Sequence, residues 1–177
     1  MGKPLYTLVL IRHGKSESSG YMSDFERELV PSGRKTVVKN TKELKNEHKI
    51  IPDILISSSA VRTAQTAQIV LDVFKKRKID DVFYNKNLYS ANELEMLDLI
   101  KAYTHKIDSK TCAVIGHNPS ISSLAFELSN EFAEHKKSST KHFSYNLAPG
   151  SICVLTSPTK FSSWNWGCAT TSAIIHQ

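Results

Sequence analysis

Two apolar runs in this chain are continuous rather than alternating, Leu8-Val9-Leu10-Ile11 and Ala113-Val114-Ile115. A strand with one wet face alternates apolar and polar residues, whereas an unbroken run belongs to a strand covered on both faces. Each run stops at a polar cluster beside glycine or proline: Arg12-His13-Gly14-Lys15 after the first, Gly116-His117-Asn118-Pro119 after the second. The remaining pattern predicts strands over 5–11, 54–56, 82–84, 111–115, 151–155 and 164–168. Helices are predicted from Pro31 to about 48, over 60–76, over 91–103 with Leu94, Leu97 and Ile100 as the apolar stripe, and over 119–128. Ser57, Ser58 and Ser59 offer capping hydroxyls for the second helix, and Asn118 caps the fourth ahead of Pro119. The stretch 16–30 reads as a polar loop and 134–141 as an exposed connection.

Strands alternating with helices predict an α/β chain: a three-layer α/β/α sandwich, with a central, mostly parallel sheet and helices on both faces. In open sheets of this kind ligands bind beyond the carboxyl ends of the strands. His13 and His117 both follow such ends, so the strand order decides whether they meet.

Composition changes this picture little. The 177 residues, 40% hydrophobic and 23% charged, are expected to form one domain over 1–177. No segment approaches the ~20 apolar residues of a membrane span. The N-terminal apolar stretch is short, ends at Arg12 and lacks a cleavage site, and Tyr6 stands where a myristoylation signal needs Ser or Thr, so the cytoplasm is the expected location. The three cysteines, Cys112, Cys153 and Cys168, have no paired spacing and read as reduced thiols, the first two packed in apolar runs. Part of the +6 net charge comes from Lys75-Lys76-Arg77-Lys78, which suits a solvated helix end. No aromatic-interleaved basic stripe supports nucleic acid as a partner.

The polar clusters carry the chemistry. A neutral imidazole is a nucleophile toward phosphorus, and a neighbouring guanidinium supplies forked donors that match phosphoryl oxygens. Nearby cations hold the imidazole neutral. Gly14 is expected to remove a side chain where a phosphate must come close. Arg62 falls in the first turn of a helix, where the dipole is already positive, so an anion shared by the two would relieve the conflict. An arginine paired with a carboxylate is the alternative account. His117 would hydrogen-bond the phosphoryl group.

These segments resemble the histidine phosphatases of the phosphoglycerate mutase-like superfamily, through Arg12-His13-Gly14, Arg62 and Gly116-His117. Within that superfamily the chain is similar to the small SixA-type branch of phosphohistidine phosphatases. The similarity runs through Arg12-His13-Gly14-Lys15-Ser16, Asp24-x-x-Arg27-x-Leu29 with Gly33, Ser58-x-x-x-Arg62-Thr63-x-x-Thr66-Ala67, Val114 to Pro119, and Pro149-Gly150-Ser151. The sequence departs from the pattern at Ser59, where proline is usual, and at Leu29-Val30, where Leu-Ser or Leu-Thr is usual.

The resemblance implies His13 as nucleophile and Arg12, Arg62 and His117 as the rest of a phosphate pocket, with Gly14 and Asn118 against the substrate. It implies no cofactor and no metal. A proton donor for the leaving group is less clear. Glu93, near a helix start, is one candidate, although a first-turn acid also suits the helix dipole. Asp24 is another, although it is equally placed to pair with Arg27. A site without a strong acid favours phosphoramidates and aryl phosphates over sugar phosphates. The expected activity is therefore a phosphatase working through a phosphohistidine on His13, with a phosphohistidine-bearing protein as substrate. A phosphatase for a small phosphorylated metabolite, or a phosphate-binding module without turnover, are the alternatives. A solvated loop is the first account of Lys136, Lys137, Lys141 and His142, and a rim to such a site is the second.

Overall fold

The computed structural model describes residues 5–18, 20, 23–75, 79, 81–131 and 146–176. Its sheet has six strands: β1 (Tyr6–Arg12), β2 (Ile54–Ser58), β3 (Asp81–Asn85), β4 (Thr111–Gly116), β5 (Ile152–Ser157) and β6 (Thr170–Ile175). They lie in the order β3-β2-β4-β1-β5-β6. The first four are mutually parallel and β5 runs antiparallel to both its neighbours. The helices are α1 (Pro31–Asn46), α2 (Val61–Phe74), α3 (Glu93–Ile107) and α4 (Ser120–Leu128).

The unbroken apolar strands behave as their pattern requires. Val9 and Ile11 of β1 pack with Val37, Leu44, Ala67, Val70 and Phe74 of α1 and α2. Leu8 and Leu10 point the other way, among Met96, Leu97 and Ile100 of α3 and Ile121 and Leu124 of α4. Successive side chains alternate between two separate cores, so both faces of the sheet are dry, and the three-layer α/β/α reading holds. Cys112 and Cys153 are buried free thiols, one within each of two central strands.

Some local expectations are corrected. No strand forms over 164–168. Phe161–Ser163 is a 3-10 turn, and Trp164 is buried against Phe161 with its indole Nε1 donating to the Thr159 carbonyl at 3.0 Å. Aromatic content that reads as strand is spent on packing, and the strand begins only at Thr170. Leu94 is 57% exposed; the stripe of α3 is Met96, Leu97, Ile100 and Thr104, rotated away from it. Asn92, with Glu95, forms a capping box at that helix start.

The serines do not cap α2. Ala60 holds the cap position without a side-chain bond, and the Ser57 hydroxyl donates to the Ser58 carbonyl. Pro119 rather than Asn118 holds the cap position of α4. The α2 helix ends at Phe74, and residues 76–78 of the basic run lie outside the described residues, as do 134–141 and His142. No described helix is long and apolar enough to cross a membrane.

Candidate active site

The strand order answers the question left by the two histidines. β4 lies directly against β1, with Arg12 opposite Gly116, so the residues that follow each strand are neighbours at one sheet edge. The His13 amide donates to the Gly116 carbonyl at 3.2 Å, and the two imidazole centroids are 5.2 Å apart. β2 flanks β4 on its other side and delivers Ser58 and, after the turn into α2, Arg62. Arg12, His13, Arg62 and His117 meet in a cleft of about 390 Å³, lined also by Lys15, Ser16, Asp24, Arg27, Asn118 and Pro149.

The loop after β1 is held by close backbone packing. A Cβ on Gly33 would fall 2.2 Å from the Lys15 carbonyl oxygen, and one on Gly14 would fall 2.9 Å from the Gly33 carbonyl oxygen. Gly14 is therefore glycine because its loop presses on α1, which corrects the expectation that the space serves a phosphate. Its amide is already given to Thr66 Oγ1 at 3.2 Å, tying the loop to α2.

His13 is buried, at 8% exposure. Its Nδ1 lies 2.8 Å from the Gly14 carbonyl, which can only accept, so Nδ1 carries the hydrogen. Nε2 then holds the lone pair, and Arg62 Nε donates to it at 3.3 Å. Desolvation and the charges of Arg62, Arg12 and Arg27 lower the His13 pKa to about 4, against the opposing pull of the Gly14 carbonyl. His117 is lowered to about 3 by desolvation, by His13 and by Arg62. Both rings are neutral at pH 7. His117 Nε2 pairs with Ser58 Oγ at 2.9 Å, while Nδ1 is buried without a partner.

Arg62 follows the alternative account, an arginine paired with a carboxylate. It sits in the first turn of α2, buried, and an anion does compensate it: Asp24. Its Nη2 donates to Asp24 Oδ2 at 2.8 Å and its Nη1 to the Asp24 backbone carbonyl. Asp24 also pairs with Arg27 Nε at 3.0 Å, and Tyr89 donates its hydroxyl to Oδ2 at 2.6 Å. The Tyr89 hydrogen bond and the two arginines hold the Asp24 carboxyl below its ordinary value. Arg12 Nη1 donates to the Leu147 carbonyl at 2.7 Å, leaving its buried Nε without a partner. Asn118 lines the cleft, but its amide donates to the Asn146 side-chain Oδ1 and the Leu147 carbonyl, both at 3.3 Å, and its Oδ1 accepts from Ser122.

Glu93 opens α3, half-buried, and does not line the cleft. Sequence reasoning did not place Tyr89, Ser58 or Arg27 at the site. Arg27 stood within the quoted Asp24 motif, and Ser58 within that of Arg62; Tyr89 carries no sequence signal. Among the described residues no cluster of three or more His, Cys, Asp or Glu side chains is set to hold a metal ion.

Such a site, at the carboxyl edge of a doubly covered sheet with a neutral histidine among arginines, has the chemistry to hold a phosphoryl group. Comparison with known proteins agrees. The family model of the histidine phosphatase superfamily (branch 1) matches residues 8–88. A structure from Nakamurella multipartitia, provisionally assigned as the phosphohistidine phosphatase SixA, is 25% identical, with a TM-score of 0.77 over 97% of this chain and 96% of that one. A second provisional SixA structure, from Agrobacterium tumefaciens, is 21% identical, with a TM-score of 0.73 over 97% and 98%. A phosphoserine phosphatase from Entamoeba histolytica shares the fold at 15% identity, with a TM-score of 0.60 over 97% of each chain. Among curated proteins none matches the sequence. Residues 8–88 thus resemble the histidine phosphatase superfamily, and the chain as a whole shares its fold with the provisionally assigned SixA structures.

Proposed function

We propose that this protein hydrolyses phosphoryl groups through a covalent phosphohistidine on His13, and that its substrate is phosphohistidine carried by another protein. In the first step His13 Nε2 attacks phosphorus as the bond to the leaving nitrogen breaks. In the second, water attacks phosphorus, the P–Nε2 bond breaks and neutral imidazole is restored. The Gly14 carbonyl on Nδ1 fixes the tautomer that puts the lone pair on Nε2, and Arg62 Nε must release that lone pair as it attacks. Arg12 and Arg62 supply positive charge where phosphoryl oxygens gather charge in the transition state. If the Ser58 hydroxyl donates to His117 Nε2, the ring's unpartnered Nδ1 carries a hydrogen for a phosphoryl oxygen.

One observation supports the choice of substrate. Among the described residues the single carboxylate lining the cleft is Asp24, and it is ionised and bound by two arginines and a tyrosine. An alkoxide leaving group needs a proton from a nearby acid. A protonated phosphoimidazole leaves as neutral imidazole and needs none. The two SixA structures named above fit this choice, and the phosphoserine phosphatase stands for the small-molecule alternative.

The test is a rate comparison across a phosphohistidine-bearing domain, aryl phosphates and sugar phosphates. Phosphohistidine should release phosphate fastest, and the trapped enzyme should carry an acid-labile, base-stable phosphoryl group on His13. Sugar phosphates faster by orders of magnitude would make this a metabolite phosphatase. Binding of phosphate without any turnover would make it a binding module.

A further inference from the structure

We infer that Asp24 is a positioning residue of this site and not its proton donor: its carboxylate clamps Arg62 and Tyr89 so that Arg62 Nε is presented to His13 Nε2. The inference rests on the reading of His13 as nucleophile.

Three side chains converge on this one carboxylate, and all are donors. Arg27 Nε approaches Oδ1, while Arg62 Nη2 and the Tyr89 hydroxyl share Oδ2. A guanidinium has no acceptor to offer, and the Tyr89 hydroxyl hydrogen is committed to Oδ2. Both hydrogen bonds fall on Oδ2, and Arg27 Nε faces Oδ1 as an ion pair without a hydrogen bond, so the ionised carboxylate is the form that holds all three. A proton on Oδ2 would set a hydroxyl hydrogen against two donors, and a proton on Oδ1 would remove the charge that pairs with both arginines, so protonation weakens the clamp either way.

The clamp fixes the geometry behind it. Arg62 is 5% exposed and reaches the site from the first turn of α2, where the helix dipole opposes its charge. Asp24 holds both Nη atoms on the outer side, one by its carboxylate and one by its backbone carbonyl. With the fork anchored there, the Nε–H is directed at His13, and each Nη keeps one further N–H. Tyr89 closes the arrangement: its ring lies 5.7 Å from the Arg62 guanidinium carbon and packs edge-on to His117 at 5.2 Å. One carboxylate thus ties the loop after β1, the start of α2 and the end of β3 to both histidines.

The decisive experiment follows Asp24→Asn and Asp24→Glu through a leaving-group series from nitrophenyl to phenyl to alkyl phosphate. Asp24 is half-exposed at the start of a 3-10 turn (Asp24–Glu26), and thermal melts would confirm that each variant folds. A positioning role predicts that Asp24→Asn lowers kcat/KM by about 10²-fold, the scale of a misplaced catalytic group, and equally for every leaving group. The alkaline limb of the pH profile should stay where it is in the wild type, and Asp24→Glu should recover part of the loss. A loss that steepens with leaving-group pKa and takes the alkaline limb with it would make Asp24 the acid. An unchanged or improved kcat/KM would show that the carboxylate merely occupies the arginines.

Should the wild-type protein turn over none of these substrates, the proposed activity fails but the clamp remains testable. The Arg62 Nε–H signal in nitrogen-edited NMR should shift and exchange faster in Asp24→Asn. An unmoved signal would overturn the inference.

Discussion

His13 and His117 occupy the same kind of place, each just past a strand buried on both faces, yet they are wired differently. His13 has both nitrogens committed, Nδ1 to the Gly14 carbonyl and Nε2 to Arg62. His117 has one commitment, Nε2 to Ser58, and an unpartnered buried Nδ1. A carbonyl partner dictates which nitrogen bears hydrogen; a serine hydroxyl, donor and acceptor at once, does not. The first ring is set in advance as a nucleophile, and the second can adapt to what binds. Position in the fold makes a histidine available, and its hydrogen-bond partner decides what it does.

Breaking the His13 side should have the largest effect. His13→Asn should lower turnover by at least about 10³-fold and abolish the phosphoryl adduct, measured by acid and base stability of label on the trapped enzyme. Arg62→Lys comes next. It keeps charge but loses the fork and the Nε contact, and should cost about 10²–10³-fold in kcat. His117→Gln keeps a donor near the phosphoryl group and should cost less, on the order of 10-fold to 10²-fold in kcat. If His117→Gln proves as damaging as His13→Asn, the assignment of nucleophile falls.

The smallest effect expected is on pH. The folded pKa values, about 4 for His13 and about 3 for His117, lie below the ordinary histidine value of 6.5, so both rings stay neutral down to mildly acidic pH. Activity should persist below pH 6 and fail only as the pair takes up protons near pH 4, with apparent values that belong to the pair. The unfolded chain binds these protons first, so stability is full above about pH 6.5 and declines as the pH falls toward 4. Urea midpoints at pH 7 and pH 4.5 would show the decline, and His13→Asn should flatten it. An activity limb at pH 6.5 would mean that burial does not hold the rings neutral.

Much of the fold was legible because its signals are local. Unbroken runs such as Leu8–Ile11 have one stable home, a strand with both faces covered, and proline at 31 begins its helix where expected. Trp164–Cys168 misled because a large aromatic residue fits a strand or a packed turn equally well, and its partner, Phe161, is a tertiary choice. At the site, Arg62 could be singled out because a cation at a helix start is a conflict visible in sequence. Tyr89 could not. It follows β3, far along the chain from Asp24, and only the placement of β3 beside β2 brings its hydroxyl to that carboxylate. Ser58 likewise reads as a helix cap until β4 delivers His117 beside it.

The place of β4 has a consequence for how the molecule is made. β1 and β2 share no ladder; each pairs with β4, which is synthesised after both. A growing chain that has emerged only as far as β3 already carries Arg12, His13 and Arg62 but has no seam to join them. The pocket is complete only with Thr111–Gly116 between the two older strands, because the same strand delivers His117.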